Sequence, residues 1–550
     1  MHAPTRSVTP RGTPNWLDVM NANTNRADQS PAAQAARRRT FAIISHPDAG
    51  KTTLTEQLLL LGGAIRMAGQ VKARGEARRA RSDWMKIEQE RGISVTSAVM
   101  TFEFEDVVLN LLDTPGHEDF SEDTYRTLTA ADSAVMVIDA AKGIEAQTRK
   151  LFEVCRLRDI PIVTFINKMD REARDPFELI DEIADQLQLE CAPMNWPLGS
   201  GLNFRGVFDM KSQAFLPFKE PGMRLPADQI AKVLSNEDGA KLSDDVSLVD
   251  GACAPFELET YREGHQTPVY FGSALKKYGV RELLQGLVEY APPPRVQHAI
   301  PHDVSPSDAG VSGFVFKVQA NMDPNHRDRV AFLRLCSGRF KRGMKLKQSG
   351  TGKVIGIHNP ILFFAQSRET LDEAYPGDII GIPNHGVLRV GDTLSESGTT
   401  TFTGIPNFAP EILRRVRLFD AMKAKHLKRA LESLAEEGVT QVFRPLVGAQ
   451  WTVGVIGQLQ LDVLKSRLQA EYGLNADLEA SPYETARWLE GSTEEVTKFR
   501  EANKGQMAED RDGSPVFLAK NAWELGYIGD KFPKVTFLKT RERSATAEAA

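Results

Sequence analysis

Short apolar runs alternate with segments of helical periodicity over the first half of the chain. The runs are almost continuously hydrophobic, which is typical of strands that are buried on both faces. Helical segments such as 52–61 and 176–187 lie between them. The pattern predicts a multidomain α/β protein whose first domain has a mostly parallel sheet with helices on both faces. The runs occupy residues 41–44, 107–113, 133–139, 162–167 and 269–271.

A proline-rich segment at 291–295 ends this pattern, and we interpret it as a stiff linker. Beyond it, apolar segments alternate with turns that contain glycine, which predicts a β-barrel domain. The clearest of these segments are 313–319, 329–346 and 375–382.

The last part of the chain mixes the two periodicities. Helical spacing occurs at 421–438 and 457–473, and a strand pattern follows at 485–490. This mixture predicts an α+β domain. Residues 1–38 lack apolar periodicity and are expected to be a mobile leader. The predicted division is therefore a leader at 1–38, a first domain at 39–294, a barrel at 295–400, an α+β domain at 401–541 and a mobile tail at 542–550.

Composition restricts the class of protein. The chain has 550 residues, of which 41% are hydrophobic and 26% charged, as in an ordinary globular protein. No apolar run approaches the roughly 18 residues of a membrane helix, and no secretory signal is present. Four cysteines without a CxxC pair argue against zinc and favour a reducing, cytoplasmic location. With a net charge of −5, we expect neither DNA nor a membrane as a partner.

The loop S-H-P-D-A-G-K-T-T directly follows the first apolar run. It resembles a phosphate-binding loop, G-x-x-x-x-G-K-[ST], except that Ser45 replaces the first glycine. Gly50 would allow the backbone to approach a phosphate closely, and Lys51 would supply a positive charge beside it. The Thr52 hydroxyl could bind Mg²⁺. The alternative is an ordinary strand–turn–helix with a solvated lysine. The candidate phosphate-binding residues are Ser45, His46, Pro47, Asp48, Ala49, Gly50, Lys51, Thr52 and Thr53.

A second motif, D-T-P-G-H, begins where the run 107–113 ends. Asp113 would reach Mg²⁺ through water, and the N–H of Gly116 could bind a γ-phosphate without steric hindrance. A turn rich in proline and glycine is the alternative. This motif adds Asp113, Thr114, Pro115 and Gly116 to the phosphate-binding candidates.

The third motif, N-K-M-D, predicts a binding site for the guanine base of a nucleotide. One carboxylate, that of Asp170, can accept both N1–H and N2–H₂ of guanine, whereas adenine offers no such pair of donors. Asn167 could bind the other edge of the base or tie loops together, and Lys168 could lie on the ring. The alternative is a helix cap. The candidate guanine-binding residues are Asn167, Lys168 and Asp170, with Ser273, Ala274 and Leu275 from the later motif G-S-A-L.

All these motifs follow predicted strands, at the edge where ligands of parallel sheets bind. Their order indicates a phosphate loop within a switch that binds GTP and GDP. Together with R-G-I-S at 91–94, they resemble the translational GTPases over residues 39–294. The resemblance implies that Thr52, Ser94 and, through water, Asp113 hold Mg²⁺. It also implies that His117 positions the attacking water, productively only on the ribosome.

Longer strings narrow the resemblance to the bacterial class II peptide chain release factors, the release factor 3 family. These strings lie at 82–94, 113–133, 319–332 and 403–418. The resemblance implies a ribosome-stimulated GTPase of translation termination. It would promote dissociation and recycling of the class I release factors, which read stop codons, after peptide release.

Three other interpretations stay open at this stage. A translocation factor resembling elongation factor G shares the first two domains, although further C-terminal domains would be expected of it. A guanine-nucleotide-gated binding module would not hydrolyse GTP, and an ATP-dependent kinase is disfavoured by N-K-M-D. Basic stretches at 72–86 and 414–429 are either solvated faces or contacts to ribosomal RNA.

Overall fold

The structure, a computed structural model, describes residues 28–542 except for 66–96, 221, 321–328, 364–367 and 449. Ser94 and the basic stretch 72–86 therefore lie outside the described residues.

A seven-stranded sheet forms the centre of the first domain. Its strands are parallel except Ala98–Phe104, which pairs antiparallel with its neighbour at the edge. Ile43 and Ala42 lie in different apolar cores on the two faces of the sheet, which explains the unbroken hydrophobicity of these strands. The predicted α/β class is confirmed. The order across the sheet is Ala98–Phe104, Val107–Asp113, Arg38–Ser45, Ser133–Asp139, Ile162–Asn167, Gln266–Phe271 and Glu190–Pro193.

Helices cover both faces of this sheet and also occur in the third domain. Within the described ranges, none is long and apolar enough to cross a membrane. The helices of the first domain and its lead-in are Pro31–Ala36, Lys51–Leu61, Ser121–Leu128, Ala146–Arg156, Pro176–Leu187, Asn236–Ala252, Leu258–Arg262 and Val280–Tyr290. Those of the third domain are Ala424–Glu436, Gln458–Tyr472, Thr493–Ala502 and Ala522–Lys531.

The first domain carries a second, antiparallel sheet that the sequence did not reveal. Its strands have only two to four residues, too few for a periodicity to be recognised. They are Asn195–Leu198, Gly206–Asp209, Ala214–Pro217 and Leu225–Pro226.

A short helix, Pro31–Ala36, lies within the predicted leader at 1–38. Ser30 caps the helix Pro31–Ala36 by accepting a hydrogen bond from the amide of Ala33 at 3.3 Å, and proline occupies a favourable first position. The Arg38 side chain that follows is buried against Asp378, with 2.8 Å between Nε and Oδ1. Six residues without a strong apolar pattern fold because caps and tertiary contacts stabilise them.

The second domain, which the sequence predicts to be a β-barrel, is β-rich and consists of an antiparallel sheet around its own apolar core. Side chains of Ser312–Ala320 face this core on one side, as Val315 does, and the first domain on the other, as Phe316 does. Smaller pairs join Phe340–Lys341 to Glu373–Ala374 and Ala299–Ile300 to Thr401–Phe402. The sheet contains Val354–Gly356, Lys345–Gln348, Thr393–Ser395, Ser312–Ala320, Arg329–Ser337, Ile379–Asn384, Ile361–Phe363 and Arg368–Thr370.

Ion pairs also join the first two domains. Arg334 on the barrel strand Arg329–Ser337 has 2.5 Å between its Nη2 and Oδ2 of Asp132, and both side chains are almost fully buried. A second pair is formed by Arg38 and Asp378. Each buried charge therefore has its partner in the other domain, so separating the domains would leave both unpaired.

The third domain consists of two βαββαβ units that share one eight-stranded sheet. Within each unit the strand order is fourth, first, third, second, and the units join where Gln441–Pro445 pairs with Met507–Glu509. The predicted helices and strand 485–490 belong to this α+β arrangement. The strands across the sheet are Ala476–Ala480, Ile412–Leu418, Thr452–Val455, Gln441–Pro445, Met507–Glu509, Pro515–Ala519, Thr485–Glu490 and Thr536–Leu538, with Pro406–Phe408 and Thr540–Glu542 paired beside it.

Candidate functional site

The phosphate loop, residues 45–52, runs from the strand Arg38–Ser45 into the helix Lys51–Leu61. Gly50 has φ +99° and is the residue before this helix. A Cβ at Gly50 would lie 2.3 Å from Nδ2 of Asn167, so both the backbone angle and the contact require glycine. The loop thus presents a helix N-terminus, a favourable place for phosphate, at the carboxyl edge of the sheet.

Ser45 and His46 form the first part of this loop. The Ser45 side chain is 1% exposed, which explains why a small residue is needed there. Nε2 of His46 lies 3.0 Å from Oε1 of Glu145, which directly precedes the helix Ala146–Arg156. Among the described residues, Oγ of Ser45 and Nδ1 of His46 are buried without a hydrogen-bond partner. Buried polar groups of this kind are suited to a ligand that supplies the partners.

Lys51 and Asp113 form a buried ion pair at the centre of the site. The distance from Nζ to Oδ1 is 2.5 Å, and the side chains are 7% and 2% exposed. Parallel pairing of Ile43 with Asp113 places the end of one strand beside the phosphate loop. The structure therefore brings together the lysine of the first phosphate motif and the aspartate that begins the second.

Residues 113–116 lie beside the phosphate loop, and they also contact the strand before it and the helix Ser121–Leu128. The Thr114 hydroxyl donates to the carbonyl of Ile43 at 2.6 Å, and the carbonyl of Pro115 accepts from Thr124 at 3.3 Å. A Cβ at Gly116 would lie 3.6 Å from the nitrogen of Pro47. The two predicted phosphate-binding segments are thus neighbours.

Asn167 ties three loops together. Its Nδ2 donates to the carbonyl of Ala49 at 2.8 Å, while its Oδ1 accepts from the amides of Lys168 and Ala274, each at 2.9 Å. Of the two roles considered from the sequence, the geometry favours joining of the loops, because both ends of the amide are used.

The remaining base-site candidates surround this link. The Ser273 hydroxyl donates to Oδ1 of Asp170 at 2.5 Å, which orients the carboxylate. Nζ of Lys168 donates to the carbonyl of Asp48 at 2.5 Å and lies 2.7 Å from Oδ2 of Asp139. Leu275 is 48% exposed at the rim. The motifs N-K-M-D and G-S-A-L are therefore neighbours, joined by hydrogen bonds.

His117 begins the turn 117–120, which follows the second phosphate motif. Its Nδ1 accepts the amide N–H of Asp119 at 3.2 Å, so the ring caps the short helix Glu118–Phe120. Its side chain is 35% exposed. With Nδ1 accepting, a neutral ring carries its proton on Nε2, which is the nitrogen left for other partners.

The oxygen donors beside the phosphate loop suit Mg²⁺. The ion prefers oxygen ligands and is usually held by one or two protein groups together with water and substrate phosphates. Thr52 follows Lys51 in the first helical turn, and Lys51 reaches Asp113. A hydroxyl and a carboxylate are therefore available beside the phosphate loop.

Three residues of this region were not identified from the sequence. Asp139 ends an apolar strand just as Asp113 does, and this signal could have been used. Glu145 and Asp119 carried no comparable signal. The partner of Glu145 lies in the phosphate loop, 99 residues away, and the partner of Asp119 lies in the third domain.

Comparison with protein families divides the chain in the same order as the structure. Residues 36–293 match the elongation factor Tu GTP binding domain, and residues 310–397 match elongation factor G domain 2. Residues 402–529 match the C-terminal domain of the class II release factor RF3.

A solved structure supports the fold. The crystal structure of ttk003000868 from Thermus thermophilus is similar with a TM-score of 0.65 and 23% sequence identity, over 86% of this chain and 72% of that one. The GTP binding domain identifies the chain as a GTPase, a hydrolase that acts on GTP. From the three successive domains we conclude that the chain belongs to the translational GTPase family, with the C-terminal domain of the class II release factors.

Proposed function

We propose that this GTPase acts in translation termination, where it promotes dissociation and recycling of class I release factors from the ribosome after peptide release. The observation that carries the proposal is the domain at 402–529, which matches class II release factors, joined to a GTP binding domain. These domains imply an interaction with the ribosome, and the role is that of a release factor 3-like protein.

In the proposed nucleotide complex, the phosphate loop, with Lys51 and Thr52, surrounds the phosphates. Asp170, oriented by Ser273, accepts from guanine, and Asn167 keeps the loops in register. Mg²⁺ would be held by Thr52, Ser94 and, through water, Asp113, and it would neutralise charge on the phosphate oxygens. We also propose the domain limits 39–294, 295–400 and 401–541.

Hydrolysis transfers the γ-phosphoryl group to water, giving GDP and phosphate. We assign the positioning of this water to His117. Its Nδ1 accepts the amide N–H of Asp119, so Nε2 is the ring nitrogen that would contact the water. Gly116, beside the phosphate loop, presents its N–H toward the γ-phosphate. The motifs contain no obvious arginine finger, so the ribosome would supply the activating contact.

A basic surface supports an RNA contact. In the stretch 414–429, Lys425 and Arg429 are exposed on the helix Ala424–Glu436. Lys428 on the same helix is paired with Glu432 at 3.7 Å, and Arg417 with Glu479 at 2.9 Å. Exposed cations of this kind would contact phosphates in a salt-dependent way.

The experiment compares GTP and ATP turnover with and without ribosomes that hold a class I release factor after peptide release. We expect GTP-specific, ribosome-stimulated turnover together with loss of the factor from the ribosome. Stimulated turnover without loss of the factor would favour a translocation factor. GTP binding without turnover would favour a gated binding module.

A further inference from the structure

The helix Gln458–Tyr472 of the third domain is capped by a residue of the first domain. Its own N-cap position is Gly457, which has no side chain to accept a helical N–H. Oδ2 of Asp119 instead accepts the amide N–H of Leu459 at 2.5 Å. Leu459 is the second residue of the helix, the position that an N-cap side chain normally serves.

The fit between Asp119 and Gly457 is very close. A Cβ at Gly457 would lie 2.0 Å from Cγ of Asp119. The backbone of Gly457, with φ −135° and ψ 164°, is an extended conformation open to any residue, so glycine is required here only by the neighbouring carboxylate. Asp119 therefore occupies the place of the missing N-cap side chain.

Other groups strengthen this contact. Gln460 accepts from the amides of Ile456 and Gly457 at 2.7 and 3.3 Å, which leaves Leu459 for Asp119. Phe120 packs against Val463 of the same helix, and both are buried. A carboxylate at a helix N-terminus is also favoured by the helix dipole.

The same aspartate holds His117. Its amide donates to Nδ1 of His117 at 3.2 Å, and its Oδ1 lies 3.6 Å from that nitrogen. The turn 117–120 is thus attached to the third domain through the carboxylate of Asp119 and the packing of Phe120, and to the imidazole through the amide of Asp119.

We propose that Asp119 is a positioning residue through which the third domain controls His117. While Asp119 caps the helix Gln458–Tyr472, the turn keeps His117 in the arrangement of the isolated chain. When the helix moves away, the turn is released. A partner-activated GTPase hydrolyses GTP slowly when it is isolated, so the contact between Asp119 and the helix belongs to the slow state of His117. Losing this contact shifts the population away from the slow state. The inference rests on the proposed role of His117.

Gly457→Ser tests this without changing the first domain. The new hydroxyl would cap the helix itself and expel Asp119, so the third domain keeps its stability. Gly505→Ser is the matched control, because a Cβ at Gly505 would have no neighbour within 4 Å. We expect Gly457→Ser to raise GTP turnover without ribosomes roughly threefold to tenfold, the size of effect that loss of one hydrogen bond has. The affinity for GTP should stay unchanged. Unchanged or lower turnover would overturn the proposal.

A double-mutant cycle shows whether Asp119 carries the effect. In an Asp119→Ala background, Gly457→Ser should have no further effect, since no carboxylate is left to expel. An undiminished effect there would also overturn the proposal.

Ring-nitrogen NMR of His117 separates this inference from the assigned catalytic role. Gly457→Ser should shift the Nδ1 signal, which reports the hydrogen bond from Asp119, and Gly505→Ser should leave it unchanged. An unshifted signal refutes the positioning by the third domain. Wild-type stimulated turnover in His117→Ala would instead refute the catalytic role, whatever the NMR result.

Discussion

Lys51 and Asp113 are joined by a buried ion pair of 2.5 Å between Nζ and Oδ1. Lys51 lies in the first phosphate motif and Asp113 begins the second. In the proposed nucleotide complex each gains a new partner, which is phosphate for Lys51 and Mg²⁺-bound water for Asp113. The pair therefore connects the stability of the domain to occupation of the site by nucleotide.

Asp113→Asn should destabilise the nucleotide-free protein by about 3 kcal/mol, because it leaves the buried Lys51 ammonium without its counter-charge. GTP should restore part of this loss, since phosphate provides a replacement, and removal of Mg²⁺ with EDTA should weaken GTP binding less than in the wild type. Thermal unfolding with and without GTP and EDTA measures both effects. Asp106→Asn, in an exposed turn whose φ of 63° suits asparagine, is the control. An equal loss with and without GTP would contradict the assignment.

Asp170→Asn should weaken GTP binding by at least about tenfold and improve binding of xanthosine triphosphate. An amide cannot accept from both N1–H and N2–H₂ of guanine, but it can donate to the xanthine oxygen. Equilibrium binding of both nucleotides measures the change. Asp175→Asn is the control, since it replaces one good helix cap with another. Unchanged GTP affinity would remove Asp170 from the base site.

Ser94→Ala should impair GTP binding far more than GDP binding, and Ser94→Thr should be nearly silent. The predicted reason is that the segment containing Ser94 reaches Mg²⁺ only while the γ-phosphate is present. Affinities for the two nucleotides, measured in Mg²⁺, give the comparison. If both affinities fell equally, Ser94 would have no specific role in the GTP state.

His117→Ala should abolish most ribosome-stimulated hydrolysis and leave nucleotide and ribosome binding nearly intact. A partner raises turnover by about 10³ to 10⁵ in GTPases of this kind, and this is the part expected to be lost. The slow intrinsic rate should change little. His302→Ala, at an exposed position of the second domain, serves as the control. Binding that fell together with turnover would indicate that His117 only stabilises its turn.

Asp123→Asn should lower the stability of the contact between the first two domains in a pH-dependent way. Burial raises the pKa of Asp123, but the Lys317 ammonium at 3.5 Å and two hydrogen bonds from Ser97 outweigh it, so the pKa is lowered overall. Because the folded pKa lies below the unfolded value of about 3.9, the stabilisation is present above that pH and disappears as pH falls through the folded pKa.

The difference in melting temperature between wild type and Asp123→Asn should therefore be largest near neutral pH and shrink below about pH 4. Asp372→Asn is the control, because Asp372 pairs with Arg342 at the exposed surface, where such pairs contribute little. A difference that stayed constant down to about pH 3, below the unfolded value, would show that the charge of Asp123 is not responsible.

The sequence by itself determined five of the six parallel strands of the first domain and the position of four motifs at strand ends. Both follow from local properties: continuous hydrophobicity marks a doubly covered strand, and glycine, lysine and carboxylates have meaning at a strand–helix junction. It could also limit Asn167 to two roles. Which of them the geometry supports became visible only when Ala49 and Ala274 were brought to the same side chain.

Tertiary structure alone decided the contacts between domains. Apolar periodicity cannot show that Phe316 faces the first domain while Val315 faces the barrel core, since both residues are simply buried. Nor does it pair Arg334 with Asp132, 202 positions away, or Asp119 with Leu459, 340 positions away. Such contacts depend on the path of the whole chain, because residues far apart in sequence share no local pattern that records their proximity in space.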